Sequence, residues 1–169
     1  QDYLNRYYNK KRLNIAMKSV KESLHANNLK GKVFMDIGCG SGIASLCAYK
    51  LGAKSIIGFD VDRYCIACTN ELRRRVSYPQ NWKVYSGSIL DKKFLSKILQ
   101  VDVAYAFGVL HHTGDVWQAI RNMASKVKNG GYLYFTVLNK KIGLRGSQNQ
   151  LKLKVLYNKS PYFAKKCLE

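Results

Sequence analysis

The stretch Lys32-Val-Phe-Met-Asp36-Ile-Gly38-Cys-Gly40-Ser-Gly42 decides how this chain is read. Its first half is an apolar run of strand length that ends on an acid, and its second half sets three glycines on alternate positions. Glycine takes left-handed backbone angles and lets the main chain approach a ligand with no Cβ in between. The segment therefore predicts a buried strand over 32–36, a tight turn over 38–42 and a helix from Ile43 to Lys50.

Working outward, Ser55-Ile-Ile-Gly-Phe-Asp60 reads as a second strand ended by an acid. Asp62 is placed to cap a helix running through Ile66, Ala67 and Leu72 to Arg75. Trp82 to Tyr85 and Val101 to Phe107 read as the third and fourth strands. A helix is expected from Val116 to Val127 with Trp117, Ile120, Ala124 and Val127 on one face. The Asn129-Gly-Gly131 turn then leads to a fifth strand over Tyr132 to Leu138. Upstream, Ile15, Ala16, Val20 and Leu24 form a stripe on an amphipathic helix over 13–24 that ends near Asn27-Asn28.

Such alternation predicts an α/β fold, a Rossmann-like parallel-sheet sandwich with right-handed crossovers and ligands beyond the carboxyl ends of its strands. The glycine turn lies at such an end. After the fifth strand the sequence shows helix-like Leu151, Leu153, Val155 and Leu156 but no strand, so the sheet is expected to be truncated before its closing strands. Leu168-Glu169 resembles a cloning remnant. The expected organisation is a core over 1–138 with a helical lead and a basic helical segment over 139–169.

At 169 residues and 47% apolar content the chain is long enough for one domain with a core of its own. Its longest apolar-to-small run, Val103 to Leu110, is far short of the roughly 18 residues a membrane span needs. No secretory leader pattern is present, and the five cysteines are an odd, scattered set, so a reduced cytoplasmic setting is expected. Cys65 and Cys68 lie three apart on one predicted helix without a second ligand pair, which favours packing over a metal site. The formal charge of +19 is extreme, and the tail after Leu138 holds eight Lys/Arg against one acid. A nucleic-acid partner is one consequence of such charge; solubility is the other.

The glycine turn followed by Asp60 about twenty residues later suits adenosine ribose hydroxyls, in either a dinucleotide or S-adenosylmethionine. Asp36 separates the two, because a carboxylate there repels a pyrophosphate and suits the ammonium of a methionine moiety. The spacing G-x-G-x-G also departs from G-x-G-x-x-G, since Ile43 stands where the last glycine belongs.

At these residues the chain resembles class I S-adenosylmethionine-dependent methyltransferases: Asp36 to Gly42 is similar to their first motif and Gly58-Phe-Asp60 to their second. Phe107-Gly-Val-Leu-His-His-Thr-Gly114 with Asn129-Gly-Gly131 resembles the small-molecule branch that includes quinone-biosynthesis enzymes. Ala67-Cys-Thr, Leu72-Arg-Arg and Gly108 to Gly114 are similar to a bacterial subgroup without an assigned acceptor. The resemblance implies S-adenosylmethionine as cofactor, no metal, and a glycine turn (Gly38, Cys39, Gly40, with Gly42) around the methionine end. It puts Asp60 on the ribose, Val61 on one adenine face and Ser88 with Ile89 on the other. Phe107 falls near the methyl group, and His111, closer to the strand end than His112, is the candidate general base. Tyr7 and Tyr8 are candidates for a lid. No Asn/Asp-Pro-Pro-aromatic motif is present, which argues against exocyclic base nitrogens as acceptors. A small molecule or envelope precursor is thus the expected acceptor. An RNA methyltransferase using the basic surface, or a cofactor-binding domain without turnover, are the alternatives.

Overall fold

The computed structural model describes residues 9–138. Tyr7, Tyr8 and the basic segment 139–169 lie outside the described residues. Helix α1 (Lys10–Leu24) starts where Asn9 accepts the amide of Arg12 at 2.9 Å and stops where His25 turns left-handed at φ 47°. That cap ends it just short of the expected Asn27-Asn28. The chain then alternates through β1 (Val33–Ile37), α2 (Ile43–Lys50), β2 (Ser55–Asp60), α3 (Arg63–Arg74) and β3 (Trp82–Ser86). It continues with α4 (Lys92–Leu95), β4 (Val101–Ala106), a 3-10 turn (Leu110–His112), α5 (Val116–Ser125) and β5 (Val127–Phe135). Asp62, Asp91 and Asp115 cap α3, α4 and α5 by accepting amides of their first turns, the ordinary task of a short acidic side chain there.

The five strands are all parallel in the order β3-β2-β1-β4-β5, the Rossmann-like sheet expected from the sequence. Successive residues of β1 feed opposite faces. Phe34 packs with Val20, Leu46, Ile56, Leu72 and Trp82 under α1, α2 and α3. Met35 and Ile37 pack with Phe59, Leu95, Leu110 and Met123 under α4 and α5. Burial on both faces is why these strands read as continuous apolar runs rather than alternating ones.

Several element ends differ from the sequence reading by one to three residues, and the largest difference lies at the junction of the last helix and strand. Helix α5 ends at Ser125, and Val127 is drawn into β5 as the partner of Val101. The buried face of α5 is consequently Ala119, Asn122 and Met123, while Trp117 is 69% exposed. Asn129-Gly-Gly131 is a bulge inside β5, not a turn before it. Pairing passes from Val101↔Val127 to Val103↔Tyr132, so a step of two residues on β4 meets a step of five on β5, and the strand ends at Phe135, three residues early.

At the opposite end of the sheet from the glycine turn, Asp102 ties two strands together. Its Oδ2 accepts the amide of Val33 at 2.7 Å and its Oδ1 pairs with Lys128 Nζ at 3.0 Å. Those bonds hold the carboxyl below its ordinary range, the Val33 amide contributing most. Asp102→Ala is expected to cost roughly 1–2 kcal/mol in guanidinium unfolding at neutral pH. Because the folded-state value is depressed, this contribution is present above the unfolded carboxylate value and is lost as pH falls through the folded one. The gap between the two proteins therefore closes in acid.

Candidate active site

The turn after β1 is anchored to β2 by three amides. Gly38 N and Cys39 N both donate to the carbonyl of Phe59, at 2.9 and 3.0 Å, and Gly40 N donates to Asp60 Oδ2 at 3.0 Å. From α3, Thr69 Oγ1 donates to the carbonyl of Gly40 at 3.0 Å. Gly38 has φ 65°, and a Cβ there would overlap Val109, so glycine alone lets the turn pass beneath that side chain. At Gly40, φ 54°, the nearest atom to an added Cβ would be 3.9 Å away, so the missing side chain leaves open space.

That space belongs to a cavity of about 590 Å³ reached by Asp36, Gly38, Cys39, Gly40 and Phe107, with Ile15 and Ala16 of α1 on its far side. A second cavity of about 330 Å³ is lined by Asp60, Val61, Ser88, Ile89, Val109 and His112. Gly38 lines both. The nine expected site residues thus fall into two groups on either side of one glycine. Two others fall into neither. Gly42 begins α2 against Thr69, where it shapes the turn from behind. His111 lines neither cavity, and its Nδ1 is buried without a hydrogen-bond partner among the described residues.

The two carboxylates differ in setting. Asp60 Oδ1 accepts the amide of Asp62 at 3.0 Å, so each of its oxygens already holds one main-chain donor and keeps lone-pair capacity toward the cavity. Asp36 is 3% exposed, and burial raises its carboxyl to about 6 against the pull of two bonds from Ser45. Burial likewise pushes the Cys39 thiol up to about 12, which leaves it protonated and unreactive at neutral pH. His111 is shifted below its ordinary value by burial and by His112, whose ring centroid is 4.0 Å away. It is therefore neutral near pH 7.

Several residues that build the site were not singled out from the sequence. Ser45 holds Asp36; Val109 roofs Gly38; Asn122 donates to the carbonyl of Ile89 at 2.8 Å and so fixes the loop that carries Ser88. A polar Asn on the inner face of an otherwise apolar helix was the available signal for the last. Cys65 and Cys68 are free thiols, and no group of three or more metal-ligating side chains forms among the described residues. No helix among them is long and apolar enough to cross a membrane.

The sequence profile of the methyltransferase domain matches residues 8–166. The chain belongs to this methyltransferase family. It is 29% identical over 138 residues to the ubiquinone biosynthesis O-methyltransferase of Aliivibrio fischeri (strain ATCC 700601 / ES114), covering 76% of this chain and 56% of that protein. It is 34% identical over 80 residues to the ribosomal protein L11 methyltransferase of Tolumonas auensis, covering 47% of this chain and 27% of that protein. The chain thus spans between about a quarter and just over half of these relatives. Magnesium protoporphyrin IX methyltransferase from Synechocystis, solved with S-adenosylhomocysteine, shares the fold at a TM-score of 0.64 and 19% identity, over 83% of this chain and 62% of that one.

S-adenosylmethionine is the cofactor of this class of methyltransferase domain, and the residues present fit it. The cradle at Gly40 is one a Cβ would fill, and each cavity carries one carboxylate. Gly40→Val is expected to leave the fold intact, at a cost of about 1–2 kcal/mol for the left-handed backbone. It should abolish detectable S-adenosylhomocysteine binding by calorimetry. Full-strength binding in a folded Gly40→Val protein would place the ligand elsewhere.

Proposed function

We propose that this domain binds S-adenosylmethionine across both cavities, adenosine in the smaller and methionine in the larger, and transfers the methyl group to a small-molecule acceptor. The observation that carries this reading is the division of the site at Gly38, with Asp60 on one side and Asp36 on the other. When bound, the cofactor supplies a sulfonium-activated methyl group open to in-line displacement. Asp60 uses its remaining lone pairs for the ribose hydroxyls. Val61 and Ile89 offer apolar surface to the adenine, and Asp36 faces the ammonium. The apolar wall of the larger cavity, including the exposed ring of Phe107, orients an acceptor and keeps water from it.

The small-molecule reading is favoured by the mainly apolar lining of the larger cavity and by the longer match to a quinone-biosynthesis enzyme than to a ribosomal-protein methyltransferase. The charge of +19 supports a second reading, a nucleic-acid acceptor held by its phosphates. The two separate by salt: phosphate-borne binding falls steeply as salt rises, whereas an apolar acceptor keeps its affinity.

His111 was the expected base. With Nδ1 buried and unpartnered among the described residues and neither cavity reached, its position does not favour contact with an acceptor. Alignment, without an imidazole base, is the main contribution of this chain.

Calorimetry should detect S-adenosylhomocysteine and not NAD, and Asp60→Ala should weaken the former roughly tenfold or more by removing hydrogen bonds to a charged group. Equal binding of both ligands would reject the cofactor site as drawn. In single-turnover transfer at saturating cofactor, His111→Ala should stay well within the roughly hundredfold loss expected of a missing general base. A loss of that size, with a rate that rises through the imidazole range in the wild type, would restore His111 as the base.

A further inference from the structure

Asp36 and Ser45 form a buried polar pair in a mainly apolar core. Ser45 is fully buried in the first turn of α2, where its amide is one of the helix's unpartnered N-terminal donors. Both that amide and the hydroxyl point at the same carboxylate oxygen: N to Oδ2 is 3.0 Å and Oγ to Oδ2 is 2.6 Å. The hydroxyl is confined, since an atom added as Cβ on neighbouring Gly58 would stand 3.3 Å from it. Among the described residues no hydrogen bond is made to Oδ1, although Asp36 lines the larger cavity. Ser45 itself lines neither cavity.

We propose that Ser45 is a positioning residue for the cofactor: its amide and hydroxyl clamp Oδ2 of Asp36 and thereby present Oδ1 to the ammonium of the methionine moiety. This rests on reading the larger cavity as the methionine end. The clamp does two things. It removes rotation of the carboxyl, because turning Oδ2 away breaks two hydrogen bonds at once. It also favours the ionised form, because both bonds are donated to the charged oxygen.

The second effect matters because the surroundings oppose ionisation. The titratable groups facing Asp36 are Asp60 at the end of β2, Cys39 in the turn, Cys47 on α2 and Tyr105 on β4, with Arg12 of α1 lining the same cavity. The two thiols and the phenol are each pushed up to about 12 and are neutral. Asp60 adds negative charge, and burial is the largest force against the carboxylate, leaving Asp36 at about 6 even with the clamp in place. Without it the group takes up its proton closer to neutrality, and a protonated carboxyl no longer pairs with an ammonium.

The test is S-adenosylhomocysteine affinity by calorimetry between about pH 5 and about pH 7.5, where the ligand's amino group stays protonated. Wild type is compared with Ser45→Ala, Ser45→Cys and Ser45→Thr. 5′-Methylthioadenosine, which has the adenosine and the sulfur but no ammonium, is the control ligand. Wild-type affinity for S-adenosylhomocysteine should fall as pH drops through about 6. In Ser45→Ala and Ser45→Cys the fall should move upward by about one pH unit or more, with roughly tenfold weaker binding at neutrality. Ser45→Thr, which keeps the hydroxyl, should restore the wild-type profile. The control ligand should respond neither to pH nor to these substitutions.

Wild-type pH profiles in Ser45→Ala and Ser45→Cys, or an equal loss of both ligands at every pH, would overturn the proposal while leaving the cofactor site standing. Failure of the wild type to bind either ligand would overturn the cofactor reading and this proposal with it. Carbon-13 titration of the Asp36 carboxyl in the free protein reads the clamp without any ligand, and an unmoved midpoint in folded Ser45→Cys would also overturn it.

Discussion

The carbonyl of Phe59, with the side chain of the next residue, is the point on which the site depends. It accepts two consecutive amides, Gly38 and Cys39, while Asp60 accepts a third from Gly40. A strand that has just left the sheet would otherwise expose those donors at the crevice floor, where an unpaired buried amide is costly. Pairing them with the neighbouring strand folds the turn back over the end of β2 and fixes the distance between the two carboxylates. Val109 then closes the turn from above, and only a residue without Cβ fits between the two. One set of backbone bonds thus defines both cavities.

The same sheet gives the site a firm floor. Phe34 and Met35 send their side chains into two separate cores, so β1 is held from both faces and the turn it feeds has a fixed origin. The apolar groups at the cavity mouths are more exposed, Val61 at 72% and Phe107 at 59%, the Phe107 ring lying stacked on Tyr105.

Much of this was legible in the residues. The strand, glycine turn, helix and terminal acid could be read because each is enforced locally: apolar runs, positive-φ glycines and short acidic caps carry their reasons within a few positions. Helix α2 and strand β2 were read with their observed bounds for that cause. Where non-local pairing decides, reading failed. Val127 continues the apolar face of α5 by spacing, yet its pairing with Val101 across the sheet outweighs the two more helical residues it would add. Asn129-Gly-Gly131 has the composition of a turn, and only the register of β4 shows that it is a bulge. The same limit applied to Ser45 and Asn122, whose hydrogen bonds reach across 9 and 33 positions. His111 and His112 are adjacent in sequence, and a 3-10 turn sends only the second to a cavity.

The electrostatics of the site run against those of the chain. A protein with a formal charge of +19 gathers two carboxylates at one crevice, close enough that Asp60 raises Asp36. A local field of opposite sign survives because the focusing of charge in a cleft depends on the nearest groups, whereas dispersed surface lysines are screened within about 8–10 Å. Such a crevice disfavours a pyrophosphate, which adds to the discrimination against dinucleotides that glycine spacing provides. It also separates donor from product under the proposed reading. A sulfonium adds a positive charge that its thioether product lacks, so attraction to the two carboxylates is greater before transfer than after it. Raising the Asp36 carboxyl toward neutrality by burial moderates that attraction, and Ser45 keeps it from vanishing.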